Sequence, residues 1–241
     1  VQIALGQALA KVPIGNPVLK EVRMGSLASK DQVTEVRARV EELSQTAHIV
    51  YGDLNKVELL DANADDGAFL SPLLLLEKEP HKNTAVHDVE AFGPVCTLMP
   101  YSDLDDAVQL AKMGKGSLCC SIATFNDKIA REFVVRAATH HGRILVINRE
   151  NAKQSTGHGS PLPSLVHGGP GRAGGGEEMG GMRGVKHYLQ RCAIQGTPTT
   201  IAAITGIYQP GAKYTTAPQH PFKYHFDDVE PGMSLQTHKR T

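Results

Sequence analysis

"HDVEAFGPVCTLMPYSDLDDAVQLA", His87 to Ala111, contains the junction between a strand and a helix. From Gly93 to Tyr101 the residues are mostly apolar, with the length and composition of a buried strand. Ser102 followed by Asp105 reads as a helix-capping pair, since a hydroxyl before the first turn and a carboxylate within it satisfy free backbone amides. Leu104, Ala107, Val108 and Ala111 then recur at helical spacing, and Gly114 is a natural C-cap. A strand running straight into a helix is the first half of a β-α-β unit.

The pattern continues on both sides. "SLCCSIATF" (Ser117 to Phe125) predicts a strand, "NDKIAREFVVRAATHHG" a helix capped by Asn126 with Gly142 at its exit, and "RILVIN" a buried strand. Upstream, Val33, Val36, Val40, Leu43 and Ala47 alternate steps of three and four, which predicts a helix over Asp31 to Ala47. "HIVYG" (His48 to Gly52) and "SPLLLLEKE" read as further strands. Val1, Leu5, Leu9 and Val12 resemble the end of an amphipathic helix, and the chain reads as a piece of a longer protein. Strands alternating with helices define an α/β fold with a mostly parallel sheet.

Composition excludes several functions. Lys plus Arg and Asp plus Glu both number 25, so no basic footprint points to nucleic acid or to an anionic membrane surface. No apolar run is long enough to span a bilayer. The four cysteines (Cys96, Cys119, Cys120 and Cys192) form no C-x-x-C pair, which suits a reducing, cytoplasmic setting. None sits beside a persuasive cationic neighbour or helix start, so each reads as a small buried hydrophobe rather than a nucleophile. The eleven histidines show no metal-ligand spacing, and no metal is expected.

"HGSPLPSLVHGGPGRAGGGEEMGG", His158 to Gly181, invites a phosphate-loop reading and fails it. No Gly-Lys-Ser/Thr ends it, and no strand immediately precedes its glycines. Two readings stay open: a surface loop whose glycines and prolines set turns, or a loop lining a site whose reactive groups come from elsewhere. His158, His167, Glu177 and Glu178 read as turn, cap or entrance residues.

The residues Glu90-Ala91-Phe92-Gly93-Pro94-Val95 resemble the Glu-x-Phe-Gly-Pro-Val signature of aldehyde dehydrogenases. "IGNP" (Ile14 to Pro17), "MGSL" (Met24 to Leu27), "GAFLSP" (Gly67 to Pro72), "GSLCCSIAT" and "GRILVIN" resemble further family segments in the same order, with Asn16 and Ser26 departing from the usual Asp and Pro. "STGHGSPLPSLVHGGPGRAGGGEE", "GVKHYLQRCAIQGTP" and a later "HPF" are similar to the bifunctional phenylacetate-degradation members (the PaaZ type), in which an aldehyde dehydrogenase domain precedes a MaoC-like hydratase domain.

That resemblance implies a division into residues 1–205, the C-terminal part of the dehydrogenase domain; 206–217, a linker; and 218–241, the start of a hot-dog (MaoC-like) domain. It implies an acyl-CoA aldehyde substrate, NADP (or NAD) as cofactor, and a homo-oligomer. Val185, Tyr188, Arg191 and Ile194 are its candidate contact residues. Glu90 would hold the nicotinamide ribose, since a carboxylate accepts from two hydroxyls, and Phe92 would pack on the nicotinamide. Read without the resemblance, the same two residues are a solvated Glu and a core Phe.

In the family the nucleophilic cysteine and the water-activating glutamate precede the part matched here, and the hydratase Asp/His pair follows it. No catalytic residue is therefore expected within the chain, and His220, Asp227 and Asp228 match no catalytic position. The whole protein is expected to hydrolyse oxepin-CoA and oxidise the resulting semialdehyde, the 241 residues alone being inactive. A monofunctional dehydrogenase of another substrate class and a non-catalytic α/β oligomerisation module are the rival readings.

Overall fold

The computed structural model describes residues 1–153, 168–174, 185–186, 188–189 and 192–213. The chain divides into two compact units, Val1–Gly114 and Lys115–Thr241.

The first unit contains α1 (Gln2–Leu9), α2 (Lys30–Leu43), β1 (His48–Tyr51), β2 (Leu73–Leu76), α3 (Ala85–Asp88), β3 (Val95–Leu98) and α4 (Leu104–Met113). Its sheet has the order β1-β2-β3, with β1 antiparallel and β3 parallel to β2. Leu73, Leu74 and Leu75 are buried on both faces of the central strand. That explains an unbroken leucine run, because a strand covered on both sides does not alternate. Val36, Val40 and Leu43 of α2 close over Leu73 and Leu75 to make the core. Each fully buried aliphatic chain there contributes about 1.5–3 kcal/mol.

Helix α2 starts where Ser29 Oγ accepts from Gln32 N at 3.1 Å. It ends at Leu43, four residues before the predicted stop. Beyond that point the bonds tighten to Gln45 N–Glu42 O and Thr46 N–Leu43 O. Ala47 keeps its buried place in the stripe after the helix has ended. Helix α4 is capped one residue later than predicted. Asp103 Oδ1 accepts from Asp106 N at 2.9 Å, and Asp106 Oδ2 accepts from Ser102 N at 2.8 Å. A carboxylate outcompetes a hydroxyl at this position because it carries charge onto the helix N-terminus. Val108 is buried as predicted and Leu110 joins it, while Leu104, Ala107 and Ala111 are half-buried. The apolar side chains of α1 are little covered: Ile3 and Leu5 are exposed and Leu9 is half-buried.

The second unit holds β4 (Ser117–Ala123), α5 (Asp127–Ala137), β5 (His141–Ile147), β6 (Ala193–Gln195) and α6 (Pro198–Thr205). The sheet β4-β5-β6 is parallel throughout. Asn126 caps α5 as predicted, accepting from Lys128 N and Ile129 N. Ala130, Phe133, Val134 and Ala137 form its buried face.

Gly142 does not end that helix; it lies inside β5. A Cβ there would fall 1.9 Å from Gly168 O, and one on Gly169 would fall 2.3 Å from Ser117 O. The described part of the glycine-rich segment, 168–174, therefore lies backbone-to-backbone against the start of β4 and β5. Gly169 and Gly171 there serve close approach, while Gly174 has open space around it and a positive φ of 78°.

The predicted α/β class holds, with one antiparallel pair among parallel ones. The strands form two sheets, and the boundary between them follows α4. Among the described residues no helix is long and apolar enough to cross a membrane.

Candidate functional site

Between α3 and β3 the side chains alternate in burial from Val89 to Phe92. Val89 and Ala91 pack against the core formed by α2 and β2. Glu90 and Phe92 accordingly point outward, the Phe92 ring being 71% exposed. The reading of Phe92 as a core residue is thereby excluded.

Several contacts fix this segment. Gly93 N donates to Ala91 O at 2.6 Å and Val95 N to Gly93 O at 2.8 Å, a tight double turn. A Cβ on Gly93 would lie 2.7 Å from Val36 Cγ2, so only glycine lets the turn rest on α2. Leu73 N donates to Pro94 O at 2.9 Å, joining the turn to the sheet.

Gln32, in the first turn of α2, completes the hold. Its Nε2 donates to Phe92 O at 2.7 Å while its Oε1 accepts from Ala28 N at 3.0 Å. Sequence reasoning missed Gln32. The signal was present, because Ser29-x-x-Gln32 is a capping-box spacing whose fourth residue turns its side chain back over the helix start.

Glu90, Phe92 and Gly93 line an open cleft of about 610 Å³ with Gln32, Val95 and Cys96, within the size range of small-molecule sites. No described residue bonds the Glu90 carboxylate. An exposed, unengaged carboxylate beside an exposed ring on a fixed turn can accept from paired hydroxyls and cover one face of a flat heterocycle. The residues present thus fit the ribose and ring of a nicotinamide nucleotide.

Cys96 is exposed at this cleft, contrary to the expectation of a buried hydrophobe. Desolvation nevertheless pushes its thiol up, away from thiolate character. Cys119, Cys120 and Cys192 are half-buried and free. Burial, with a second thiol adding to it, pushes Cys120 and Cys192 to about 11 each. These surroundings suit structural thiols.

Of the predicted contact residues, Val185 and Tyr188 are exposed, and Ile194 of β6 pairs with Ile144 of β5; Arg191 lies outside the described residues. So do His158, His167, Glu177, Glu178, His220, Asp227 and Asp228.

Fold and turn together define a class, an α/β fold with parallel strands and an exposed turn that carries Glu90 and Phe92. The profile of the aldehyde dehydrogenase family matches residues 2–194, and the chain belongs to that family. Protein MaoC of Klebsiella aerogenes is 48% identical over 221 residues, covering 90% of this chain and 64% of that protein. The 3,4-dehydroadipyl-CoA semialdehyde dehydrogenase of Aromatoleum evansii is 38% identical over 167 residues, covering 69% of this chain and 32% of that one. The chain thus spans less than two thirds of the length of these relatives.

Among solved structures, a mutant of aldehyde dehydrogenase C from Pseudomonas syringae, complexed with NAD+ and octanal, superposes with a TM-score of 0.60 at 23% identity, covering 78% of this chain and 35% of that one. Succinic semialdehyde dehydrogenase from Streptococcus pyogenes, in complex with NADP+, gives 0.58 at 20% identity, covering 73% of this chain and 34% of that one. Both likenesses concern the fold.

Proposed function

We propose that the full-length protein is a bifunctional enzyme of phenylacetate catabolism. A MaoC-like domain beginning near residue 218 hydrolyses the ring of oxepin-CoA. The dehydrogenase domain, to which residues 1–205 contribute, oxidises the resulting 3-oxo-5,6-dehydrosuberyl-CoA semialdehyde to its acid with NADP. The relatives support this reading: one 48% identical bears the name MaoC, and one 38% identical is a dehydrogenase of a CoA-linked semialdehyde. Both nicotinamide dinucleotides occur among the structural neighbours, so the choice of NADP rests on the family resemblance. Four free cysteines favour a cytoplasmic setting.

The observation that carries the dehydrogenase reading is the outward pair Glu90 and Phe92 on a turn fixed by Gln32 and Gly93. When bound, the nicotinamide accepts a hydride from the substrate carbon. Glu90 accepts from the ribose hydroxyls and thereby sets the position of the ring. Phe92 covers that ring and excludes water from one side. Gln32 keeps both at a constant height above α2. In this reading the nucleophilic cysteine and the water-activating glutamate are supplied by other parts of the full-length protein.

A homo-oligomer is part of the same proposal, with the exposed Val185 and Tyr188 as contact residues. The test is Glu90→Gln in the full-length protein. An amide presents one acceptor oxygen and a donor where two acceptors are needed. The expected result is a roughly tenfold loss in kcat/KM for the dinucleotide, about 1.4 kcal/mol, with a larger isotope effect from a deuterated aldehyde. Unchanged kinetics would overturn the assignment.

A further inference from the structure

We propose that Arg149, stacked on the ring of Phe125, forms the subsite that holds the adenine-nucleotide end of a coenzyme A-linked substrate. The proposal rests on the acyl-CoA reading above and adds to it a place and two residues.

The first observation is location. Phe125 follows β4 and Arg149 follows β5, neighbouring strands whose pairing ends at Ala123 and Ile147. Thr124 N still donates to Ile147 O at 3.0 Å, so the two strand exits leave the sheet side by side. The C-terminal edge of parallel strands is where α/β folds present ligand-binding groups.

The second is geometry. The Arg149 guanidinium carbon lies 4.8 Å from the centre of the Phe125 ring, within cation–π range. Phe125 is 60% exposed and contributes little to the core.

The third is rigidity. Asn148 is buried, and its Oδ1 accepts from Glu150 N at 2.9 Å and from Asn151 N at 3.4 Å. Asn151 Oδ1 accepts from Asn148 N at 2.8 Å, and its Nδ2 donates to Val146 O at 2.8 Å. Arg149 therefore stands on a turn locked from both sides by asparagine side chains.

The fourth is charge. Lys213 Nζ donates to Glu150 Oε1 at 2.6 Å, which engages the adjacent carboxylate. Among the described residues the Arg149 donors meet no protein acceptor.

A guanidinium positioned by an aromatic face, with its donors open, takes phosphate in a two-pronged contact, and the exposed side of the ring that it does not cover offers a stacking surface to a purine. Coenzyme A carries both groups at the end remote from its thioester. The adenosine half of a nicotinamide dinucleotide carries the same chemistry, and the experiment separates the two.

In the full-length protein, Arg149→Ala, Arg149→Lys and Phe125→Ala are compared with wild type. Calorimetry measures binding of coenzyme A, pantetheine and NADP. Kinetics compare a CoA-linked semialdehyde with hexanal. For Arg149→Ala the expected result is a roughly tenfold weaker Kd for coenzyme A and a similar rise in KM for the thioester. Pantetheine and NADP binding, the hexanal kinetics and the thermal midpoint stay at wild-type values. Arg149→Lys recovers part of the loss, and Phe125→Ala loses severalfold. Unchanged coenzyme A binding and thioester KM in both alanine variants would overturn the subsite. So would weakened NADP binding with coenzyme A unaffected, which would assign the pair to the dinucleotide. A wild-type protein that oxidises hexanal with NADP but neither binds coenzyme A nor turns over its thioester would show that the acyl-CoA reading itself is wrong, and the subsite would go with it.

Discussion

Replacing Gln32 with glutamate cuts one end of a two-ended clamp and keeps the other. In the native chain the amide donates to Phe92 O at 2.7 Å and accepts from Ala28 N at 3.0 Å. A glutamate carboxylate still accepts from Ala28 N, and its charge suits the start of α2. It has no hydrogen to give Phe92 O and sets two acceptors against each other. Gln32→Ala loses both ends. Each neutral hydrogen bond contributes about 0.5–1.5 kcal/mol net, so Gln32→Ala, which loses two, should lose about 1–3 kcal/mol of stability, and Gln32→Glu, which loses one, about half of that. The Glu90–Phe92 turn is nevertheless released in both, and dinucleotide KM in the full-length enzyme should rise about five- to tenfold in each. Thermal unfolding and initial rates measured on the same preparations separate the two effects. If Gln32→Glu binds dinucleotide as tightly as wild type, the clamp does not position the turn and the reasoning about Phe92 fails.

Two further predictions concern the second unit. Gly142→Ala places a methyl 1.9 Å from Gly168 O between two backbones that have nowhere flexible to yield; a loss of more than about 2 kcal/mol in denaturant unfolding is expected, and a wild-type midpoint would show that the 168–174 segment does not pack there. His141 is buried, and desolvation, with His140 adding to it, lowers it from 6.5 to about 4. The unfolded chain then binds a proton that the fold refuses, so stability is full above about pH 6.5 and falls as pH drops toward 4. Urea midpoints at pH 7 and pH 5 should differ in wild type and converge in His141→Gln, and equal slopes in both would refute the assignment.

Much of this architecture was legible because its signals are local. Asn126 announces α5, and the steps of three and four from Val33 to Leu43 announce α2, since cap chemistry and helical periodicity require only neighbours in sequence. The errors arose where a distant group decides. Gly142 looks like a helix exit until Gly168 is seen lying over it. Ser102 looks like a cap until Asp103 is found to hold the helix while Asp106 reaches back to Ser102. The cut between two sheets has no marker at Gly114 beyond an ordinary glycine.

At the candidate site the family signature located Glu90 and Phe92, but residue chemistry alone left Phe92 open to a core reading. The alternation of Val89 and Ala91 into the core settles its direction. Gln32 went unread because its role joins two segments sixty residues apart.

The alternation from Val89 to Phe92 ties two duties to a single backbone parity. Deleting or inserting one residue there would turn the carboxylate and the phenyl ring into the interior and throw valine and alanine outward. A substitution alters one of these positions, whereas a change of length inverts all of them at once. Divergence in the lineage should therefore proceed by substitution between Asp88 and Gly93, with gaps accumulating elsewhere.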